Sequence, residues 1–216
     1  MAGSESTKAV LLAVLANLGL AIIKLIAFLV SGSGAMLSEA IHSIADTGNQ
    51  ALLFIGIRRS ERPANATFHY GFGAERFFFA LMSAAGIFVL GCGVTLYHAV
   101  HMLMHPEPPH TGWIDFAVLG VSLVVEGGVL LRALAVVNRQ RGQVPLLAYL
   151  RKSSDPTLAA VLLEDGVACL GVVVAFVGIG AARLTGSGLP DAIATLVIGL
   201  LMGFIAVWLG FKNRSL

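Results

Sequence analysis

Within the stretch LSEAIHSIADTGNQALL, residues 37–53, Glu39, His42, Asp46 and Asn49 follow one another at steps of three, four and three. On an α-helix that spacing sets all four on one face. An imidazole with carboxylate oxygens is a ligand set for a borderline divalent cation, and His42 and Asp46, one turn apart, can reach a single ion. The same groups titrate, so metal and protons compete for them. The flanking residues are otherwise fit for lipid. An ionisable side chain at mid-bilayer costs about 2.5–3.5 kcal/mol on insertion scales. Three unpaired on one stripe would roughly cancel the insertion free energy of the Leu and Ile around them. The stripe therefore faces the protein interior or a water-filled cavity. A structural polar seam between helices is the competing reading.

The elements that position this stripe follow from composition. The chain has 216 residues, 57% hydrophobic and 12% charged, with a mean hydropathy of +0.87. Soluble domains run near 45–50% apolar and about 25% charged. A hydrocarbon core of ~30 Å needs ~20 apolar residues of helix. Six such runs occur, at 10–31, 34–57, 77–103, 113–137, 156–182 and 190–211, separated by hinges such as SGSG, HPEPPHTG and LTGSGLPD. Barrel strands would instead alternate in blocks of ~10 residues. The expected fold is an all-α membrane protein with six transmembrane helices, forming one domain over 1–216.

Basic residues set the orientation. Lys8, Arg58, Arg59, Arg62, Arg76, Arg139, Arg141, Arg151, Lys152, Lys212 and Arg214 lie at one set of helix ends, and Arg183 alone at the other. By the positive-inside rule both termini are expected to be cytoplasmic. The sequons at Asn65 and Asn213 then stay bare. The first run is too long for a cleavable signal and carries Asn17 and Lys24. The net charge of +2 is a topology signal, and no nucleic-acid partner is expected. Cys92 and Cys169 fall in different runs and match no metal knuckle, so they read as structural thiols.

Depth supplies a partner for the stripe. Asp46 lies about eleven residues before one end of the second run, and Asp165, in AAVLLEDGVACLG, about nine after the matching end of the fifth. At ~1.5 Å per residue both are ~15 Å deep, near the midplane. Asp165 is thus the third expected ligand, after His42 and Asp46. A site that releases metal when protonated is half of a proton-driven antiporter. No H-E-x-x-H, G-x-S-x-G or phosphate-cradling loop is present, and no enzyme is expected. An intramembrane metal-dependent hydrolase with Glu164 as general base is the weaker alternative.

Six runs, His42-x-x-x-Asp46 followed by Asn49, HYGFGAERFFFAL at 69–81, and the fifth-run acid resemble the cation diffusion facilitator family along essentially the whole chain. The resemblance implies export of Zn²⁺ and related divalent cations from the cytoplasm in exchange for protons. It implies homodimers with alternating access and a transport site built from the second and fifth spans. Most members carry His or Asp four residues before the fifth-span acid, where this chain has Val161. The Leu-Glu-Asp variant is similar to a subgroup that includes the mitochondrial zinc transporter branch. The missing ligand can be Glu164, Glu39, Asn17 or water. An oxygen-richer site also admits Mn²⁺, Fe²⁺ or Co²⁺. The family's cytoplasmic C-terminal domain is expected to be absent, since the chain ends at FKNRSL. The expected location is the inner (plasma) membrane of a prokaryote.

Other polar residues read more quietly. Lys24 shares a face with Asn17 and suits a structural ion pair or snorkelling. Glu126 has no partner readable from sequence and reads as a buried hydrogen-bonding or proton group. His98, His101, His105 and His110 suggest a peripheral metal site or, more simply, a solvated helix end. His69 alone is a weak signal. The glycines of the sixth run and SAAG at 83–86 suggest close helix packing. Two functions from different classes remain: a proton-coupled exporter, and a membrane protein that binds metal without moving it.

Overall fold

The computed structural model describes residues 2–65, 68–107, 112–142, 144–145 and 156–214, with side chains described from Val14 onward except at 140, 156–161, 209 and 212–214. His110, Arg151, Lys152 and the side chain of Val161 lie outside that description. Among the described residues the chain is helical and contains no strand. Helix α1 spans Ala2–Ser31, α2 Gly34–Ser60, α3 Glu75–Met104, α4 Trp113–Arg141, α5 Pro156–Thr185 and α6 Leu189–Arg214. The inner boundaries fall within a few residues of those expected, because Gly, Ser and Pro mark them. At the basic ends α2, α4 and α6 run three or four residues past the apolar stretch, and α1 begins eight residues before it.

Local chemistry explains the tightest of these boundaries. Between α1 and α2 only Gly32 and Ser33 intervene. Gly32 turns the chain at φ 68°, a left-handed conformation that favours glycine. Ser33 caps α2 by accepting from the Met36 N–H at 3.2 Å. The remaining free N–H groups of that end are buried and need acceptors. Asp191, from the first turn of α6, supplies them: its carboxylate accepts from Ser33 Oγ at 2.9 Å, Gly34 N at 2.8 Å and Ala35 N at 3.1 Å. A buried carboxylate at the positive end of a helix is doubly favoured.

Helix α3 is continuous but changes winding at Ile87–Val94, a π-helical stretch containing Gly91 and Gly93. There Cys92 turns into the protein and packs on α6: a Cβ at Gly203 would stand 2.7 Å from its sulfur. Helices α5 and α6 approach more closely still, since a Cβ at Gly178 would stand 2.3 Å from that of Ala194. Ser83 and Ala84 are buried as well. The expectation of close packing at small residues holds.

The packing is inside-out by soluble standards. Ala27, Ala35, Ala40, Ala99 and Ala175 are fully buried, whereas Leu29, Val124, Leu131 and Phe204 are 64–75% exposed. Small residues fill many of the inward positions beside a few large ones such as Met36, Leu119 and Ile179, and many large apolar residues face outward, as in helices that pack within lipid. Among the described residues, five helices are long and apolar enough to cross a membrane: α1, α3, α4, α5 and α6. The chain is an integral membrane protein. Helix α2 has the length but not the apolarity, because it carries the polar stripe. It packs instead against α1, α3, α5 and α6.

Replacing Asp191 by Ala leaves the Gly34 and Ala35 amides buried without an acceptor, and each such group costs about 1–3 kcal/mol. Unfolding of the detergent-solubilised Asp191→Ala chain is expected at lower temperature than that of Asp191→Asn, whose amide oxygen still accepts.

Candidate metal site

The stripe on α2 faces inward. Glu39, His42 and Asn49 are buried, and the Asp46 side chain is 23% exposed. His42 Nε2 stands 3.4 Å from Asp46 Oδ2, as the one-turn spacing requires. Both ring nitrogens of His42 are buried without a hydrogen bond. With Glu39, the ring lines a tightly packed crevice at the junction of α2, α5 and α6, bounded by Val167, Gly171, Ile198 and Met202. His42 therefore looks toward α5 and α6.

On α5, Asp165 lies in electrostatic reach of Asp46 and His42, and Glu164 in reach of Asp46 and Asp165. One Asp165 oxygen, Oδ2, is buried and unpartnered. Glu164 turns to α2, where its Oε1 accepts from Asn49 Nδ2 at 3.0 Å. The Asn49 carbonyl accepts in turn from the Ser83 hydroxyl of α3. Asn49 thus ties three helices together one turn from Asp46. Among the described residues, however, no three His, Cys, Asp or Glu side chains stand close enough together to hold one ion. The residues gather on facing helices without closing into a finished cage.

Two expected ligands are differently engaged. Glu39 does not turn to His42; its Oε2 accepts from Lys24 Nζ of α1 at 2.8 Å. Its Oε1 has no partner and rests on Gly171, where a Cβ would stand 2.5 Å away. Asn17, half-buried on α1, makes no hydrogen bond or ion pair among the described residues. Lys24 is fully buried and does not snorkel: its ammonium also donates to Glu126 Oε1 of α4 at 2.7 Å. Glu126, without a readable partner in the sequence, has this one because a lysine side chain reaches across between helices. Ser83, Gly171 and Asp191 were missed for the same reason: each acts across a helix pair, and no local pattern marks them.

Among the described residues, the histidines at the C-terminal end of α3 form no common centre. His98 meets Phe28 edge-on at 6.4 Å, while the His101 and His105 rings lie 5.2 Å apart. His69 is exposed on the loop before α3. Cys92 and Cys169 are both free thiols.

Residues 10–216 match the family model described as the cation efflux transmembrane domain. The chain is 37% identical over 194 residues to a mitochondrial proton-coupled zinc antiporter of Mus musculus, covering 89% of this chain and 34% of the relative. It is 38% identical over 186 residues to metal tolerance protein C4 of Arabidopsis thaliana, covering 85% and 41%. It is 34% identical over 145 residues to the cation-efflux pump FieF of Shewanella oneidensis, covering 65% and 48%. The chain spans between a third and a half of the length of these relatives. A prokaryotic plasma membrane draws no support from the relatives named as mitochondrial.

Asn49→Leu removes the partners of Glu164 and Ser83 together while keeping the volume. Each buried group left unpaired costs about 1–3 kcal/mol, so the variant is expected to unfold earlier in detergent than Ser83→Ala. Thermal unfolding of the two variants beside the unsubstituted chain checks this ordering.

Proposed function

Since this chain belongs to the cation efflux family, we propose that it carries the ion path of a proton-coupled antiporter. It exports divalent metal cations, with zinc as the principal cargo, through a midplane site formed by α2 and α5. His42, Asp46 and Asp165 are the ligands. The observation that carries this reading is the set of buried, unpartnered donor atoms on facing helices: both nitrogens of His42 and Oδ2 of Asp165. Buried polar atoms are normally satisfied, and a divalent cation bound to one nitrogen of His42 and to Asp165 Oδ2 satisfies both at once. Between Asp46 and Asp165 it also turns repulsion into attraction and draws the donors in.

Glu164 is the fourth ligand. One of its oxygens is held by Asn49, and it lies in electrostatic reach of both aspartates. Glu39 is committed to Lys24. Mixed nitrogen and oxygen donors in four-fold coordination suit Zn²⁺ at ~2.0–2.2 Å. Three carboxylates against one imidazole make Mn²⁺, Fe²⁺ and Co²⁺ the alternative cargo.

Six helices cross the bilayer in this reading. Helix α2 is tolerated as the sixth because four others sheathe its polar face. The bias of eleven bases against one puts both termini in the cytoplasm. Metal enters His42 and the acids only when protons leave, so the site trades one for the other.

Proteoliposomes holding the full chain, with a zinc-sensitive dye inside, test the proposal. Zinc uptake is expected to follow an imposed proton gradient and to reverse with it. His42→Ala, Asp46→Asn and Asp165→Asn are each expected to lower the flux roughly 100-fold, the effect of about 2.7 kcal/mol of lost ligand energy. Flux that ignores the gradient, or survives all three substitutions, overturns the reading; saturable binding without flux favours a metal-binding protein. Apparent zinc affinity is expected to fall as pH falls, because protons occupy the same donors. Isothermal titration at stepped pH reads that trend.

A further inference from the structure

The Glu39–Lys24–Glu126 triad is buried chemistry that the transport reading leaves without a task. Burying ions costs several kcal/mol each, and apolar residues of similar volume often serve stability as well or better. The triad is also unbalanced, since one ammonium meets two carboxylates. Its spare oxygens, Glu39 Oε1 and Glu126 Oε2, are buried and unpartnered. Glu39 and His42 line the same tightly packed crevice, Glu39 one helical turn further from the chain termini. A cation leaving His42 along α2 in that direction meets the Glu39 carboxylate next.

We infer that Glu39 and Glu126 form a latent divalent-cation site, already occupied by the tethered ammonium of Lys24. The direction of travel rests on the proposed transport function; the binding chemistry does not. The ammonium holds two carboxylate oxygens at 2.8 and 2.7 Å. A zinc ion in its place needs them at ~2.0–2.2 Å, a closing of roughly 0.6 Å for each. Lys24 competes from a fixed position, at an effective concentration no free ion matches. It also lies in electrostatic reach of Asp46. Lys24 thus keeps the outward acids from trapping cargo, so that the ion passes them without resting there.

Equilibrium dialysis of the detergent-solubilised full chain against zinc tests this by stoichiometry. Lys24→Met is expected to bind about one zinc ion per chain more than the unsubstituted protein. The extra ion is expected to vanish in Lys24→Met/Glu39→Gln and to persist in Lys24→Met/Asp165→Asn. Lys24→Arg keeps the cation and is expected to bind no extra zinc. If Lys24→Met is unstable without metal, zinc is expected to raise its unfolding temperature more than that of the unsubstituted chain. Lys24→Met/Glu39→Gln/Glu126→Gln is expected to fold without that zinc dependence. An unchanged stoichiometry, an extra ion that survives Glu39→Gln, or a Lys24→Met chain that zinc does not rescue each overturns the inference. Flux plays no part in this readout, so it can fail while the transport reading stands, and the reverse.

Discussion

Charge inside an apolar medium must be partnered, and this demand organises the molecule. Helix α2 carries an acid, an imidazole, a second acid and a carboxamide on one face, a combination no lipid-facing helix tolerates. The other helices are apolar enough to meet lipid, and four of them pack around α2. Close packing of that kind requires small side chains at the contacts. The buried alanines and the glycines facing Ala194 and Cys92 meet that requirement. Many of the large apolar residues lie on the outside, where lipid accepts them.

Two polar networks bracket His42 along α2, and they differ in kind. Toward the basic helix ends, Asn49 joins Ser83 and Glu164 through neutral donors and holds α2, α3 and α5 in register. Toward the other end, Lys24 joins Glu39 and Glu126 through charge and holds α1, α2 and α4. Between them lie the donors with the fewest partners: His42, Asp46 and Asp165. The acids of the Lys24 network each keep one unpartnered oxygen, and the middle holds buried atoms with no hydrogen bond at all, an arrangement that suits a transient guest. The N-terminus of α2 is fixed separately, by Asp191 from α6.

The family assignment and the geometry are independent supports. Identity to a zinc antiporter and a metal tolerance protein extends over most of the chain, and that to an efflux pump over 65% of it. The convergence of α2 and α5 comes from packing. The relatives do not speak to Glu39: its position on the stripe suggests a ligand, but its carboxylate already has a cation.

The sequence alone determined the solvent, the element lengths and the one-face stripe, because hydropathy and 3.6-residue periodicity are local properties of a chain. Helix ends were legible too, since Gly32, Ser33 and Pro156 act within a turn of their own positions. Matching depths brought Asp46 and Asp165 together on paper, as antiparallel spans share one membrane thickness. Depth says nothing about azimuth, so the sequence was silent on which way each side chain turns. Tertiary structure alone decided that Glu39 and Glu126 share Lys24, that Glu164 turns to Asn49, and that Asp191 caps α2. Each of these contacts joins residues from different helices through side-chain reach of a few ångströms, and such pairings leave no spacing within either helix to read.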